Sequence, residues 1–452
     1  MSDCLFARTI AAIDSSATTI NLRRTIGRWS LTALIVNGII GSGIFGLPSE
    51  IARLLGRASP LAYIVAAGII GIIIACFAEV AARFRDAGGP YLYAQSAFGR
   101  LPGIQMAWLA WLTRLTATAA NLNLLVIYLA EFWPHTGRPL PRLLVLTIAV
   151  AALATINYRG VSIGARVSNG FASIKVLSLF AFAVAGSGYL LMHGSSPHTF
   201  APATVHTRGW LSAILMLMFL FGGFESALIS TGETSLPARD NPFALLTAWA
   251  VVTGLFTLIQ LVVIEILPTM TTDRPLAEAA RQFSGGIGAS AMAAAAIISV
   301  SGNLAAGMLT APRLTFALAE RGDFPRLFAA IHPRFRTPHV SIVVFAVLTW
   351  VLAVEGGFGW NVALSAVARV VTYGAVCAAL PVLRRKYQGQ QTFCLPAGPV
   401  LAALGVAFSA ILVTGIRWAE LFILLATAMV ATLNWLSVRR RLNPVPVQLS
   451  FG

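Results

Sequence analysis

Long apolar runs, separated by short polar or charged segments, dominate the hydrophobic pattern of this chain. Most runs approach or exceed the roughly 20 residues that a helix needs to cross a bilayer. Strands of a membrane barrel would alternate apolar with polar positions, and these runs do not, so the pattern predicts an all-α polytopic membrane protein. Twelve spans are predicted, over residues 29–55, 58–82, 101–133, 142–157, 165–192, 209–235, 243–267, 286–319, 338–354, 360–383, 397–415 and 417–438.

Composition excludes an ordinary soluble protein. The 452 residues are 57% hydrophobic and 11% charged, and their mean hydropathy is +0.80. Soluble globular domains carry about 25% charged residues. The apolar excess therefore agrees with the predicted membrane spans.

The basic residues are placed asymmetrically. There are 32 lysines and arginines against 16 acidic residues, a balance that suggests nucleic acid in a soluble protein. Here 21 of them lie on the face that holds the N-terminus, called the basic face below, and 8 lie on the opposite face. The positive-inside rule then predicts a cell-membrane protein with cytoplasmic tails at 1–28 and 439–452. Anionic lipid headgroups, not nucleic acid, are the expected partner of this charge.

Two spans are interrupted by glycine in the same way. The first contains Gly41, Gly43 and Gly46 followed by Pro48, and the sixth contains the pair Gly222-Gly223. Close helix packing explains one such cluster, but two at corresponding positions point to the midplane site of an inverted-repeat transporter. Because each opens a block of five spans, we expect a first repeat over 29–192, an inverted second repeat over 209–383, and two further spans over 397–438.

An unwound helix in mid-membrane offers backbone groups to a ligand. Amide N–H groups at the start of a half-helix suit a carboxylate, and carbonyls at the end of a half-helix suit an ammonium. The predicted carboxylate site is the backbone of Gly41, Ser42, Gly43, Ile44 and Phe45, with the Ser42 hydroxyl as a further donor. The predicted ammonium site is the set of carbonyls at 38–40 and 219–222.

Several motifs resemble the amino acid-polyamine-organocation (APC) superfamily of permeases over about residues 28–440. They are Gly41-Ser-Gly-Ile-Phe45, Glu79-Val-Ala-Ala-Arg-Phe84 with Gly88-Gly-Pro-Tyr91, Gly223-Phe-Glu-Ser-Ala227 with Gly232-Glu-Thr234 and Pro237, Thr310-Ala-Pro-Arg313, and Ala319-Glu-Arg-Gly-Asp-Phe-Pro325. The resemblance implies the LeuT-like five-plus-five fold and secondary transport of amino acids or related amines by alternating access. It implies no cofactor.

Lys175 lies in the fifth span, toward the basic face. In similar permeases a lysine at this place stands where sodium-coupled relatives bind their cation. The resemblance implies that carbonyls near Gly38 and the hydroxyls of Ser299 or Ser301 surround it, and that transport is sodium-independent and either proton-coupled or an exchange. A lysine that extends to the membrane interface is the alternative interpretation.

Three side chains flank the second break. Glu225 is the single acid at the centre of a predicted span. It is a candidate for proton coupling, for pairing with a cationic substrate, or for a structural hydrogen bond between helices. Phe219 and Phe224 are candidate gates over the ligand, and Phe219 matches the aromatic gate position of related exchangers by resemblance.

Other polar residues in the spans leave their roles open. Arg114 binds a substrate carboxylate or balances Glu225 or Glu79, and Arg369 has the same ambiguity. Asn37 and Asn121 either line the pocket or bond neighbouring helices. By resemblance, Gly307 replaces an aromatic residue of related exchangers and leaves more room.

Motifs for other chemistry are absent from the sequence. It contains no ATP-binding GxxxxGK[ST] loop, no nucleophile elbow, and no metal-ligand spacing among its six histidines and four cysteines. The sequence therefore predicts an amino acid permease that is not an enzyme and holds no metal. An amine or polyamine exchanger, or a nutrient sensor that does not transport, is the alternative on the same scaffold.

Overall fold

The computed structural model describes residues 27–84, 89–160, 165–194, 207–227, 237–269, 271–387 and 393–439. Within these ranges the regular elements are helices, which confirms the all-α prediction. The predicted tails at 1–28 and 439–452 lie almost entirely outside the described residues, as do Gly88 and the motif at 232–234.

Fifteen α-helices are described. They are α1 (Arg28–Ile39), α2 (Gly43–Leu55), α3 (Ser59–Ala81), α4 (Gly89–Phe98), α5 (Arg100–Leu129), α6 (Pro139–Tyr158), α7 (Ala165–His193), α8 (Thr207–Leu220), α9 (Phe224–Ala227), α10 (Pro237–Ile266), α11 (Pro275–Glu320), α12 (His339–Glu355), α13 (Phe358–Lys386), α14 (Gly398–Thr414) and α15 (Trp418–Val438). Short 3₁₀ turns occur at Gly56–Ala58, Pro134–Gly137 and Arg326–Ala329.

Helices occupy every predicted span within the described residues. By length and composition, eight helical segments of this part of the chain are able to cross a membrane. Three shorter apolar helices accompany them, Thr207–Leu220, His339–Glu355 and Gly398–Thr414. The protein is therefore polytopic, as the hydrophobic pattern predicts.

Two features differ from the predicted spans. The helix α4 lies between the second and third spans, in a segment that the apolar pattern left unassigned. The helix α11 begins eleven residues before the predicted start at 286, and Gly285 with a φ of +65° separates this early part from the span itself. Glycine adopts that left-handed conformation without the steric cost that other residues incur.

Packing of the two broken helices is reciprocal. The half-helix α1 packs against α10 and α9, while α8 packs against α3 and α2. Two copies related by inversion would exchange partners in this manner, since α10 follows the second break as α3 follows the first. The repeat boundaries themselves stay a prediction.

Buried ion pairs hold the helices together at the basic face. The Glu79 carboxylate, 0% exposed, accepts hydrogen bonds from Arg83, from Arg384 at 2.6 Å and from the Leu395 amide at 3.0 Å. Glu79 therefore joins α3 to α13 and to the segment before α14, and it lies outside the candidate site.

A second cluster lies between α4, α5 and the segment after α11. Arg100 donates to Asp323 at 2.7 Å, and the Tyr91 hydroxyl donates to the same carboxylate. Burial and the neighbouring Asp323 raise the pKa of Tyr91, so its hydroxyl stays protonated as a donor. These bonds fix α4 against the membrane helices.

Candidate functional site

Both predicted helix interruptions are present. The helix α1 ends at Ile39 and α2 begins at Gly43, while α8 ends at Leu220 and α9 begins at Phe224. The intervening residues make short-range turns, with the Gly41 amide bonded to Ile39 O at 2.6 Å and the Gly222 amide bonded to Phe219 O at 3.2 Å. Two of the carbonyls predicted to bind an ammonium therefore each accept one backbone hydrogen bond already, and a carbonyl oxygen has two lone pairs.

The two breaks touch each other through backbone atoms. Gly223 has a φ of +110°, and a Cβ atom placed on it would overlap the carbonyl of Gly38. A Cβ atom on Gly38 would in turn lie 3.3 Å from Gly223 O. Glycine at both positions is what permits this approach, so each break positions the other.

The start of α2 offers amide groups to a ligand. The first amides of a helix have no acceptor within it. At α2 these amides include those of Gly43 and Ile44, for which the described residues show no backbone acceptor. The Phe45 amide, in contrast, donates to Ser42 O at 3.0 Å. The side chains of Ile44 and Phe45 are fully buried, and the Ser42 side chain does not cap the helix. The predicted carboxylate site is thus a backbone site.

Glu225 makes three contacts. Its Oε1 lies 3.0 Å from Nη1 of Arg369, and its Oε2 accepts hydrogen bonds from the Gly223 amide at 2.8 Å and the Tyr373 hydroxyl at 3.1 Å. Arg369 and Tyr373 both belong to α13. These contacts join Glu225 to α13, and its ion-pair partner is Arg369 rather than Arg114. The part of Glu225 in coupling stays a prediction.

The two candidate gate residues have different surroundings. Phe219 lies beside the first turn of α2, where a Cβ on Gly43 would be 3.2 Å from its ring, and the Arg369 guanidinium is 5.6 Å from the ring centroid. Phe224 is 0% exposed and packs against Phe77 at 5.2 Å between centroids. Phe219 therefore contacts the site, whereas Phe224 packs in an aromatic core beside it.

Lys175 is buried between α7 and α1. Its side chain is 4% exposed, and its Nζ donates to Asn37 O at 2.9 Å. It does not extend to an interface. The bond ends at the last turn of α1, next to Gly38, which is where the resemblance placed its carbonyl partner. The described residues show no bond from Lys175 to Ser299 or Ser301.

Arg114 faces α11 from α5. Its Nη1 donates to Thr310 Oγ1 at 3.2 Å. One turn away, Gly307 of α11 packs so closely on Thr118 that a Cβ would lie 2.9 Å from Thr118 Oγ1. Gly307 therefore allows α5 and α11 to pack closely. The resemblance implies only that Gly307 leaves more room than the aromatic residue of related exchangers.

The two asparagines predicted to line the pocket, Asn37 and Asn121, are among five whose buried Oδ1 has no hydrogen-bond partner among the described residues. Asn121 follows Arg114 by seven residues, two turns of α5, so the two share a helix face. Buried polar atoms normally have a partner, so a bound ammonium is a chemically suitable one.

One face of α11 is exposed although it lies within a membrane span. Ala306, Thr310 and Arg313 follow one another at helical spacing, and all three are exposed. Charged residues in a span face the protein interior or a water-filled cavity rather than lipid. This exposed face includes Thr310, which accepts the hydrogen bond from Arg114.

Two cavities lie nearer the opposite face. One of about 610 Å³ is lined by residues that include Asn123, Arg142 and Asp273, and a smaller one of about 220 Å³ lies beside Glu50 and Trp360. Neither is lined by residues 40–45 or 219–225. The candidate site is therefore defined by the helix ends and their charges.

These features define a class of protein: a multi-pass membrane protein whose two broken helices meet beside buried charges. Residues 26–438 match the family described as "Amino acid permease". The chain belongs to this amino acid permease family, which lies within the APC superfamily that the motifs resemble. Its relatives are transporters rather than enzymes.

Individual relatives are distant and cover most of the chain. The methylthioribose transporter of Bacillus subtilis is 26% identical over 89% of this chain and 90% of its own length. The branched-chain amino acid permease of the same organism is 24% identical, with 88% and 89% coverage. Cationic amino acid transporter 4 of Mus musculus is 26% identical, with 89% and 65% coverage. The names of these relatives differ in substrate, so similarity alone assigns none to this chain.

Proposed function

We propose that the protein is a secondary amino acid transporter that works by alternating access and binds its substrate where the two broken helices meet. The observation that carries the proposal is the contact of the two breaks beside the unpaired amides that begin α2. An α-carboxylate suits those amides. The relatives that transport amino acids support the substrate class.

We further propose that transport is sodium-independent, and is proton-coupled or an exchange. The support is Lys175, whose ammonium bonds to Asn37 O in a buried position at the end of α1. A sodium ion would be bound by oxygen ligands such as this carbonyl, which the ammonium already engages. By family resemblance, Lys175 takes the place of that ion.

Orientation follows the basic residues. We place the protein in the cell membrane with its basic face toward the cytoplasm, as the positive-inside rule predicts. We propose that the exposed face at Thr310 and Arg313 lines an aqueous vestibule, which in this orientation opens to the cytoplasm.

Uptake into proteoliposomes tests these proposals. Purified protein is reconstituted, and labelled amino acids are offered with a sodium gradient, with a pH gradient, or with unlabelled amino acid inside. We expect uptake that ignores sodium and responds to one of the other two conditions. Uptake that needs sodium and ignores pH would contradict sodium independence, and binding without flux would indicate a sensor.

The chain offers a matched control for the lysine. Lys386, the other lysine of the sequence, donates to Ser96 O at 2.9 Å at the basic-face end of α13. Lys175→Met should reduce uptake at least about tenfold, because it removes the charge beside the break and leaves Asn37 O unpaired. Lys386→Met should keep most of the wild-type uptake. Equal uptake by both variants would contradict a coupling role for Lys175.

A further inference from the structure

The charge of the candidate site is unbalanced among the described residues. Glu225 is its acid, and the Arg369 guanidinium, the Gly223 amide and the Tyr373 hydroxyl already contact that carboxylate. A substrate cation that approached Glu225 would have to displace the paired arginine. The acid is therefore a poor attachment point for an amine.

Besides Lys175, whose ammonium bonds to Asn37 O, the remaining cation of the site is Arg114. The described residues give its guanidinium one hydrogen bond, to the neutral hydroxyl of Thr310. Glu225 and Arg369 are the charged groups that act on it electrostatically, and they are paired with each other. Because charges in mid-membrane interact through a low dielectric, the excess positive charge favours an anion.

The part of the exposed face nearest Arg114 is also basic. Arg313 lies three residues beyond Thr310 on the exposed face of α11, and the acidic Glu320 lies two turns farther from the breaks. Positive charge next to the site raises the local concentration of anionic ligands there.

We propose that the preferred substrate carries a second acidic group, as a dicarboxylic amino acid does, and that Arg114 binds that group. This inference rests on the proposed function. The α-carboxylate binds the amides that begin α2, and the ammonium binds the unpaired Oδ1 of Asn121. The site then includes two arginines, one lysine and one glutamate, namely Arg114, Arg369, Lys175 and Glu225. Their net charge of +2 is reduced to +1 by a substrate whose net charge is −1. Arg114 is thus a specificity-determining residue, and a polyamine is disfavoured.

Competition against labelled substrate, together with thermal-shift binding, tests the charge rule. The probes are glutamate, aspartate, leucine, lysine and putrescine, each measured on the wild-type protein. We expect glutamate or aspartate to bind at least about tenfold more tightly than lysine or putrescine. A wild-type protein that binds leucine or lysine more tightly than either acid overturns the inference and leaves transport intact.

Variants of Arg114 separate charge from packing. Arg114→Gln should weaken glutamate binding at least about tenfold and change leucine binding by less than about twofold. Arg114→Lys should restore much of the loss, and Arg114→Glu should move the preference toward lysine. Arg138→Gln, which removes an exposed arginine just before α6, is the matched charge control and should change nothing.

Each remaining outcome is decisive. Equal weakening of all probes by Arg114→Gln, with Arg114→Lys no better, would reduce Arg114 to a packing role and overturn the inference. Binding in the predicted order without flux would refute the proposed transport and keep the charge rule. Binding of none of the probes would overturn both.

Discussion

Replacement of Gly223 by alanine tests the contact between the two breaks. The substitution adds a single methyl group at a position whose φ is +110°, and that group would overlap Gly38 O on α1. The Gly223 amide also donates to Glu225 Oε2 at 2.8 Å, so a shift of this backbone disturbs the ion pair as well. The variant therefore perturbs both helix breaks through one atom.

The expected cost comes from two sources. A residue other than glycine held in this region of φ costs about 1–3 kcal/mol. The overlap is with backbone rather than with a flexible side chain, so α1 or α9 must move, and overpacking of this kind costs about 1–3 kcal/mol. Together they predict a loss of about 2–6 kcal/mol, a large part of the roughly 5–15 kcal/mol that stabilises a folded protein.

Thermal unfolding of the purified protein and uptake in proteoliposomes measure the effect. Gly254→Ala is the matched control, because Gly254 lies within α10 and a Cβ there would meet nothing within 4 Å. The control should be neutral or should stabilise α10 by up to about 1 kcal/mol. We expect Gly223→Ala to lower both the melting temperature and the uptake relative to that control.

Indistinguishable melting temperatures and uptake for Gly223→Ala and Gly254→Ala would refute the reasoning. Such a result would mean that the two breaks do not approach through Gly38 and Gly223. A lower melting temperature with normal uptake would place the contact in the fold but not in transport.

Two further predictions concern ion pairs. Removal of either charge, by Glu225→Gln or Arg369→Gln, should destabilise the protein. A double-mutant cycle measured by thermal unfolding should give a coupling free energy of about 1–3 kcal/mol between the two positions. Strictly additive losses of stability would contradict the observed ion pair. Arg384→Gln should lower the free energy of unfolding by about 2–4 kcal/mol, because it leaves the buried Glu79 carboxylate without its strongest partner. Arg385→Gln, at the adjacent exposed position, is the control and should change that free energy by less than about 0.5 kcal/mol. Equal melting temperatures for the two variants would contradict the role assigned to Arg384.

Local sequence signals predicted most of the fold. Apolar length fixes where helices cross the membrane, and glycine in an apolar run marks a break without any tertiary information. Both breaks lie where Gly41 and Gly222 indicated. The helix α4 was not predicted because it is short and has no long apolar run. The part of α11 before Gly285 was not predicted for the same reason.

The site was predicted less completely, because side-chain pairing depends on how helices rotate against one another. The candidates Phe219, Glu225 and Lys175 lie at the breaks, but the partner of Glu225 was not readable. Arg369 follows Glu225 by 144 residues, and only packing of α13 brings the two together. A charged residue in the middle of a span was the available signal for Arg369. Tyr373, four residues later on the same helix face, carried none.

The bond from Lys175 to Asn37 has an electrical consequence. A sodium ion that is cotransported crosses the membrane once in each cycle and contributes its charge to the current. An ammonium attached to the chain never crosses, and it returns with the protein whether or not substrate is bound. In the proposed transporter, the net charge moved per substrate therefore equals the charge of the substrate plus that of any cotransported protons, minus the charge of any counter-substrate that crosses in the opposite direction. The reversal potential measured across a planar bilayer at known gradients of substrate and protons should then give that net charge.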